Sequence, residues 1–320
     1  MKRNSSVELL RIISMLLIII FHFCGRAYDL FSPELLTNNN TELSKLLFHS
    51  LGQTGVPIFM FISGFYGIKF KYNRLINMFI QCVLYTIVLY SLSCLIRPGL
   101  WNTRIFILNI FGPSTLWFFY CYVVIYIFAD PINDYLNGLS FKKFTAIILL
   151  LLYFSVGLWF MKSSALNIFS LFEFYIIARY TKLHLYTRIS QYAVWTVIPS
   201  IVLFLLPVFI GWHFNCIDKI QPYVNKYYNL FILPICITLI ISADKHAFYN
   251  KYVNKFASTA LACYLIHESS YFSYFIKPFF HFEEYSILRI LLTSIGIYLF
   301  CYIIDIIRIT IGNLYKYNEK

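Results

Sequence analysis

Apolar residues run along this chain in long blocks separated by short polar breaks. A helical membrane crossing needs about 20 mostly apolar residues. On that criterion the pattern predicts about ten spans, near 7–26, 47–68, 75–96, 115–131, 144–161, 165–181, 192–212, 228–243, 257–276 and 286–308. A shorter apolar stretch, 105–111, lies between the third and fourth and reads as re-entrant or interfacial. The longest polar break, about 27–46, carries Asp29, Glu34, Asn38, Asn39, Asn40 and Glu42 and leaves no room for a second folded domain. The expected fold is all-α: a polytopic integral membrane protein with about ten transmembrane helices, residues 1–320 forming one membrane-embedded domain.

Composition points the same way. Hydrophobic residues make up 60% of the chain and charged residues only 12%, against about 45–50% and about 25% in soluble domains. Aromatic residues reach 20%, which suits lipid interfaces, where such rings accumulate. The net charge is +12. With the N-terminus placed in the cytoplasm, most of the 26 Lys and Arg fall in cytoplasmic loops, as the positive-inside rule requires. Removing one span in mid-chain would flip every later loop and spoil that bias, so both termini are expected in the cytoplasm. Nucleic-acid binding would need basic residues clustered on a soluble module, and none is present. The eight Cys sit mostly within apolar runs without a C-x-x-C pair, so they read as small buried hydrophobes, with no metal site expected. Lys2 and Arg3 precede an apolar run as in a signal peptide, but no small-residue cleavage site follows it, and Glu8 and Arg11 intrude. The segment is expected to remain as the first helix.

Ionisable groups within a span are costly and mark candidate functional positions. The first span holds Glu8, Arg11 and His22. Arg11 and His22 are eleven residues apart, about three turns, which places both on one helix face roughly 16 Å apart. Glu8, three residues before Arg11, can pair with it across one turn. Arg11 could equally snorkel to lipid phosphates, and a single His on an apolar helix is commonly a packing residue. The second span reads Gly55-Val56-Pro57-Ile58-Phe59-Met60-Phe61-Ile62-Ser63-Gly64-Phe65, whose Gly and Ser suit close helix approach. The ninth carries Tyr264-Leu265-Ile266-His267-Glu268, and the sixth carries Glu173 and Arg179, whose spacing of six does not pair them on one face.

These segments together resemble the acyltransferase-3 family of bacterial membrane O-acyltransferases, and the resemblance extends over most of the chain. Glu8-Leu9-Leu10-Arg11, then ten residues, then His22 is similar to the family's arginine–ten residues–histidine signature. The Gly55-to-Gly64 stretch with the basic Lys69, Lys71 and Arg74 after it, Leu116-Trp117-Phe118-Phe119, and Tyr264-Leu265-Ile266-His267 resemble further family motifs. Glu268 departs from the Pro common at its position. The resemblance implies transfer of an acyl group, usually acetyl, from cytoplasmic acyl-coenzyme A to a hydroxyl of a cell-surface polysaccharide or its precursor, free or lipid-linked, in the bacterial cytoplasmic membrane. Acyl-coenzyme A is then a co-substrate, with no permanently bound cofactor.

The expected roles follow from that chemistry. Arg11, oriented by Glu8 and helped by Lys69, Lys71 or Arg74, holds phosphate through its planar fork. His22 takes the proton of the attacking hydroxyl, with a covalent acyl-enzyme on the same imidazole as the alternative. Ser63, Trp117, His267 and Glu268 are candidates for the acceptor side. The rival expectation is a transporter or flippase for a glycan, lipid or small solute, with Glu173, His267 and Glu268 along its path. A sensor or scaffold without chemistry is a third.

Overall fold

Two prolines decide where two of the longest apolar blocks break. Proline lacks the N–H that would reach the carbonyl four residues earlier. Pro57 therefore has no bond to Gln53, and Pro131 has none to Ile127. The second predicted span accordingly starts earlier than expected and divides into α2 (Leu43–Gly52) and α3 (Gly55–Tyr66). The fourth divides into α6 (Trp117–Ile127) and α7 (Ala129–Asn137). These breaks are features of a computed structural model that describes residues 3–27, 43–111, 116–160, 167–227, 229–272 and 286–318.

The remaining helices are α1 (Ser5–Ala27), α4 (Tyr72–Ile96), α5 (Thr103–Ile110), α8 (Phe141–Phe160), α9 (Asn167–Tyr180), α10 (Tyr186–Ile189), α11 (Ala193–His213), α12 (Ile217–Val224), α13 (Ile232–Lys245), α14 (Lys251–Ala257), α15 (Ala260–His267) and α16 (Ile287–Asn318). No strand occurs among the described residues. The apolar stretch 105–111 lies mostly in α5, started by Asn102, whose side chain accepts from the Ile105 N–H at 3.1 Å.

Six helices among the described residues are long and apolar enough to cross a membrane: Ser5–Gly25, the broken Leu43–Tyr66, Tyr72–Ile96, Phe141–Phe160, Ala193–His213 and Ile287–Ile311. They mark a multi-pass membrane protein. The other four expected spans hold shorter α-helical segments among the described residues: α6 has 11 residues, α9 has 14 and runs on through the π-helical turn Thr181–Leu185 into α10, α13 has 14 and α15 has 8. Most of α9 and α15 is buried, so their backbones are covered by protein, where short and interrupted helices are tolerated at membrane depth.

The chain forms two compact units. The first comprises Met1–Phe70 and Cys121–Asn254. In it α1 packs on α2, α3 and α13, α3 packs on α9, and α11 packs on α2, α12 and α13. Small residues let these backbones touch, as their sequence pattern suggests. A Cβ at Gly52 would lie 2.8 Å from the Leu17 carbonyl oxygen and the Phe21 nitrogen, and one at Gly55 would lie 2.5 Å from the Ser14 carbonyl oxygen. The second unit, Lys71–Tyr120 and Lys255–Lys320, joins α4, α5, α15 and α16. Its α4 and α16 are tied by Asp305, which accepts from Tyr85 at 2.5 Å and from Arg308 at 2.7 Å.

Candidate functional site

One unbroken helix, α1, carries Glu8, Arg11 and His22. The pairing expected from the spacing is present: Arg11 Nη1 donates to Glu8 Oε1 at 2.7 Å. Glu8 is buried, while about a third of the Arg11 side chain is exposed. The carboxylate thus sits under the guanidinium and leaves other N–H groups accessible. A cationic fork held at one end and open at the other suits an anion with several oxygens.

Around this end of α1 the first unit gathers residues from three other helices. Tyr66, the last residue of α3, lies within electrostatic reach of Arg11 and donates to Asp244 at 2.5 Å. Asp244, in the last turn of α13, also accepts from Lys182 at 3.1 Å. Burial by itself would raise the Asp244 carboxyl, but hydrogen bonds from Tyr66, Lys182 and Tyr186 outweigh it and hold the group below its ordinary value. Lys182 is delivered by a π-helical turn, Thr181–Leu185, that continues α9; such turns often redirect side chains at functional positions. Its ammonium lies 4.5 Å from the ring centres of both Phe65 and Tyr186, a cation–π arrangement. Lys182, Tyr66 and Asp244 were not singled out from the sequence. Each stands at the end of a span, where a charged or aromatic residue is unremarkable, and only packing brings them to Arg11.

The expected helpers are placed as follows. Lys69 is exposed in the segment after α3, whose backbone is fixed by Asp130, Asn133 and Tyr175 through Phe70 and Ile68. Lys71 caps α4 and Arg74 lies in its first turn, both in the second unit. Ser63 spends its hydroxyl on the Phe59 carbonyl at 3.2 Å, within α3.

At the other end of α1, His22 sits beside Phe21, ring centres 5.5 Å apart and edge-on. Phe21 stacks on His49 of α2 at 4.6 Å, and His22 acts electrostatically on His49. The His49 ring is 1% exposed and its Nδ1 meets Asn225 Nδ2 at 3.2 Å. The amide is the donor there, so His49 Nδ1 is the acceptor and the ring proton resides on Nε2. One turn from each partner lie Gln53 and Gln221, both buried. Neither polar atom of the Gln221 amide has a partner among the described residues, and neither does Gln53 Oε1 or Asn225 Oδ1. A buried unsatisfied polar group costs about 1–3 kcal/mol, so this concentration beside His22 is unusual. His49 had a sequence signal, being an ionisable group inside an expected span. Gln221 had none, because it falls between spans.

In the second unit, His267 closes α15. Its Nδ1 approaches the Cys263 carbonyl at 2.7 Å; a carbonyl only accepts, so Nδ1 carries a proton. Tyr264 links this ring, at 6.1 Å, to Phe118 at 5.3 Å, next to Trp117 at the start of α6. Glu268 follows as the buried C-cap of α15. Glu173 belongs to the first unit, where Ser155 of α8 donates to it. Arg179 instead donates to Asn137 at 2.7 Å, so Glu173 and Arg179 are unpaired with each other, as their spacing implied.

The sequence model of the acyltransferase-3 family, described as an acyltransferase domain, matches residues 4–306, nearly the whole chain. The chain belongs to this family. No curated protein and no solved structure matches it. Membership makes the protein a membrane acyltransferase, and the matched range takes in both ends of α1, the Arg11 cluster and the His49 cluster alike.

Proposed function

We propose that this acyltransferase moves an acyl group, acetyl being the first to test, from cytoplasmic acyl-coenzyme A to a hydroxyl of a cell-surface polysaccharide or its lipid-linked precursor. The observation that carries the reading is the layout of α1. An accessible, ion-paired Arg11 and the imidazole of His22 share one helix, about 16 Å apart along its axis. A donor with a phosphorylated head and an extended arm ending in a thioester fits that separation. Arg11 holds phosphate oxygens, and the arm runs along α1 toward His22.

In the chemical step the acceptor oxygen attacks the thioester carbonyl while His22 accepts the hydroxyl proton. The tetrahedral intermediate then collapses. The carbon–sulfur bond breaks, and the proton returns from His22 to the departing thiolate. General-base catalysis of this kind contributes roughly 10²–10⁴-fold.

The same reading includes ten spans, with both termini in the cytoplasm of a bacterial cell and the chain in its cytoplasmic membrane. Arg11, Tyr66, Lys182 and Asp244 come from four different helices, and the ten-span arrangement puts all four at the cytoplasmic end. Their meeting in the first unit supports it.

The test is transfer of radiolabel from acetyl-coenzyme A to glycan in membranes containing wild type or His22→Ala at equal abundance. The expected result is label in the glycan fraction with wild type and a loss of about 10²–10⁴-fold with the variant. Undiminished transfer by His22→Ala would remove the general base. Absence of His22-dependent label with several acyl donors and glycan acceptors would favour transport of a glycan or lipid instead.

A further inference from the structure

The first unit contains a group of buried neutral polar side chains that the donor chemistry does not use. His49 and Gln53 stand one turn apart on the α2 side, joined by the Gln53 N–H to His49 carbonyl bond at 3.3 Å. Gln221 and Asn225 stand one turn apart at the end of α12, joined by the corresponding backbone bond at 3.0 Å. The two pairs meet where Asn225 donates to His49 at 3.2 Å. Phe21, next in sequence to His22, covers the His49 ring.

Local structure holds these groups in place. The break imposed by Pro57 ends α2 just before Gln53. Gly52 lets α2 sit directly on the α1 backbone at Leu17 and Phe21. Trp159 of α8 donates to the Tyr223 carbonyl at 3.0 Å and pins α12 in mid-turn between Gln221 and Asn225.

Gln221 is 4% exposed and Gln53 is 3% exposed, yet both amide atoms of Gln221 and the carbonyl oxygens of Gln53 and Asn225 have no partner among the described residues. A primary amide offers two donors beside an acceptor with two lone pairs. A hydroxyl is donor and acceptor at once, so a run of such amides is complementary to a run of hydroxyls. The four side chains are three amides and an imidazole, and Asp218 on α12 is offset by Lys219 beside it. A neutral, hydroxyl-bearing ligand matches such a lining.

We propose that His49, Gln53, Gln221 and Asn225 form the acceptor subsite, which grips the neighbouring hydroxyls of an uncharged sugar so that one hydroxyl is presented to His22. This rests on the acyltransferase reading for its place in the reaction, but the sugar-binding part stands apart from it. Phe21, between the two imidazoles, offers an apolar face to the sugar's C–H bonds.

The informative variant is Gln221→Leu, which keeps the volume and removes an amide that has no partner among the described residues. Purified protein in detergent is heated with and without a panel of neutral methyl hexosides at millimolar concentration. Acetyl transfer from acetyl-coenzyme A to the same hexosides is measured alongside. At least one hexoside is expected to raise the wild-type Tm and to leave that of Gln221→Leu unmoved. The apparent KM for that hexoside should rise about tenfold or more, with the KM for acetyl-coenzyme A unchanged. Without sugar, Gln221→Leu should unfold no earlier than wild type, whereas a structural amide would cost stability. Hexosides that stabilise neither protein, or both equally, would overturn the subsite. Stabilisation that depends on Gln221, with no acetyl transfer by any variant, would keep the sugar site and sink the acyltransferase reading in its place.

Discussion

Arg11 shows how much one side chain's geometry decides. It is paired with Glu8 at 2.7 Å but remains about one-third exposed, so its worth lies in orientation more than in stability, since accessible ion pairs contribute little to folding. Arg11→Lys keeps the charge and discards the planar fork. The expected outcome is a rise of about tenfold in KM for acyl-coenzyme A, with kcat changed much less, read from initial rates across donor concentrations. An unchanged donor KM would detach Arg11 from phosphate binding. In the proposed mechanism His22 and Gln221 divide the remaining labour, proton transfer for one and hydroxyl recognition for the other. Because His22 acts in the chemical step and Gln221 in binding the acceptor, their variants should separate into a kcat defect and an acceptor-KM defect.

Helices, in turn, are positioned by what they lack. Gly64 has no Cβ, and one added there would run into the Tyr175 carbonyl of α9. This contact between α3 and α9 supports Tyr66 and the π-helical turn together, and hence the Lys182–Asp244 pair beside Arg11. Gly64→Ala should cost about 2 kcal/mol or more, because backbone cannot yield as a flexible side chain does. It is expected to appear as a lowered Tm and a poor yield of folded protein. Gly157→Ala is the matched control: nothing lies within 4 Å of its Cβ position, so it should behave as wild type or slightly better, since Ala favours helix over Gly. Equal behaviour of the two would mean that α3 and α9 are not in backbone contact. Pro57 and Pro131 act by a second kind of absence, the missing N–H, and place the breaks that free Gln53 at one end of the first unit and begin α7 at the other.

For the whole molecule the question is which loops lie on which side. The ten-span reading puts Gly138, after α7, inside, and Gly99, between α4 and α5, outside. Both tolerate a side chain, with nothing within 4 Å of Gly99 and only ordinary contacts at Gly138. None of the eight native cysteines is classed as exposed, so background labelling should be low. With a membrane-impermeant maleimide on intact cells, Gly99→Cys should label and Gly138→Cys should label only after lysis. The reverse pattern, or labelling of both from outside, would break the ten-span topology and move the Arg11 cluster away from the cytoplasmic donor proposed for it.

The sequence alone determined what depends on composition and on spacing within one helix. Membrane residence followed from the scarcity of charge, the Glu8–Arg11 pair from a separation of three, and the common face of Arg11 and His22 from a separation of eleven. The family was legible in the same short motifs, since they are contiguous in the chain. Tertiary structure decided what depends on chain crossings. Tyr66, Lys182 and Asp244 are far apart in sequence, as are His49 and Asn225, and no periodicity brings such residues together. It also decided the length of α15, eight residues, because a helix sheathed by its neighbours need not satisfy the 20-residue requirement that lipid imposes. The pair proposed for donor binding and proton transfer could be read from one helix, whereas the cluster proposed for the acceptor is built from two helices and so appears only once the chain has packed.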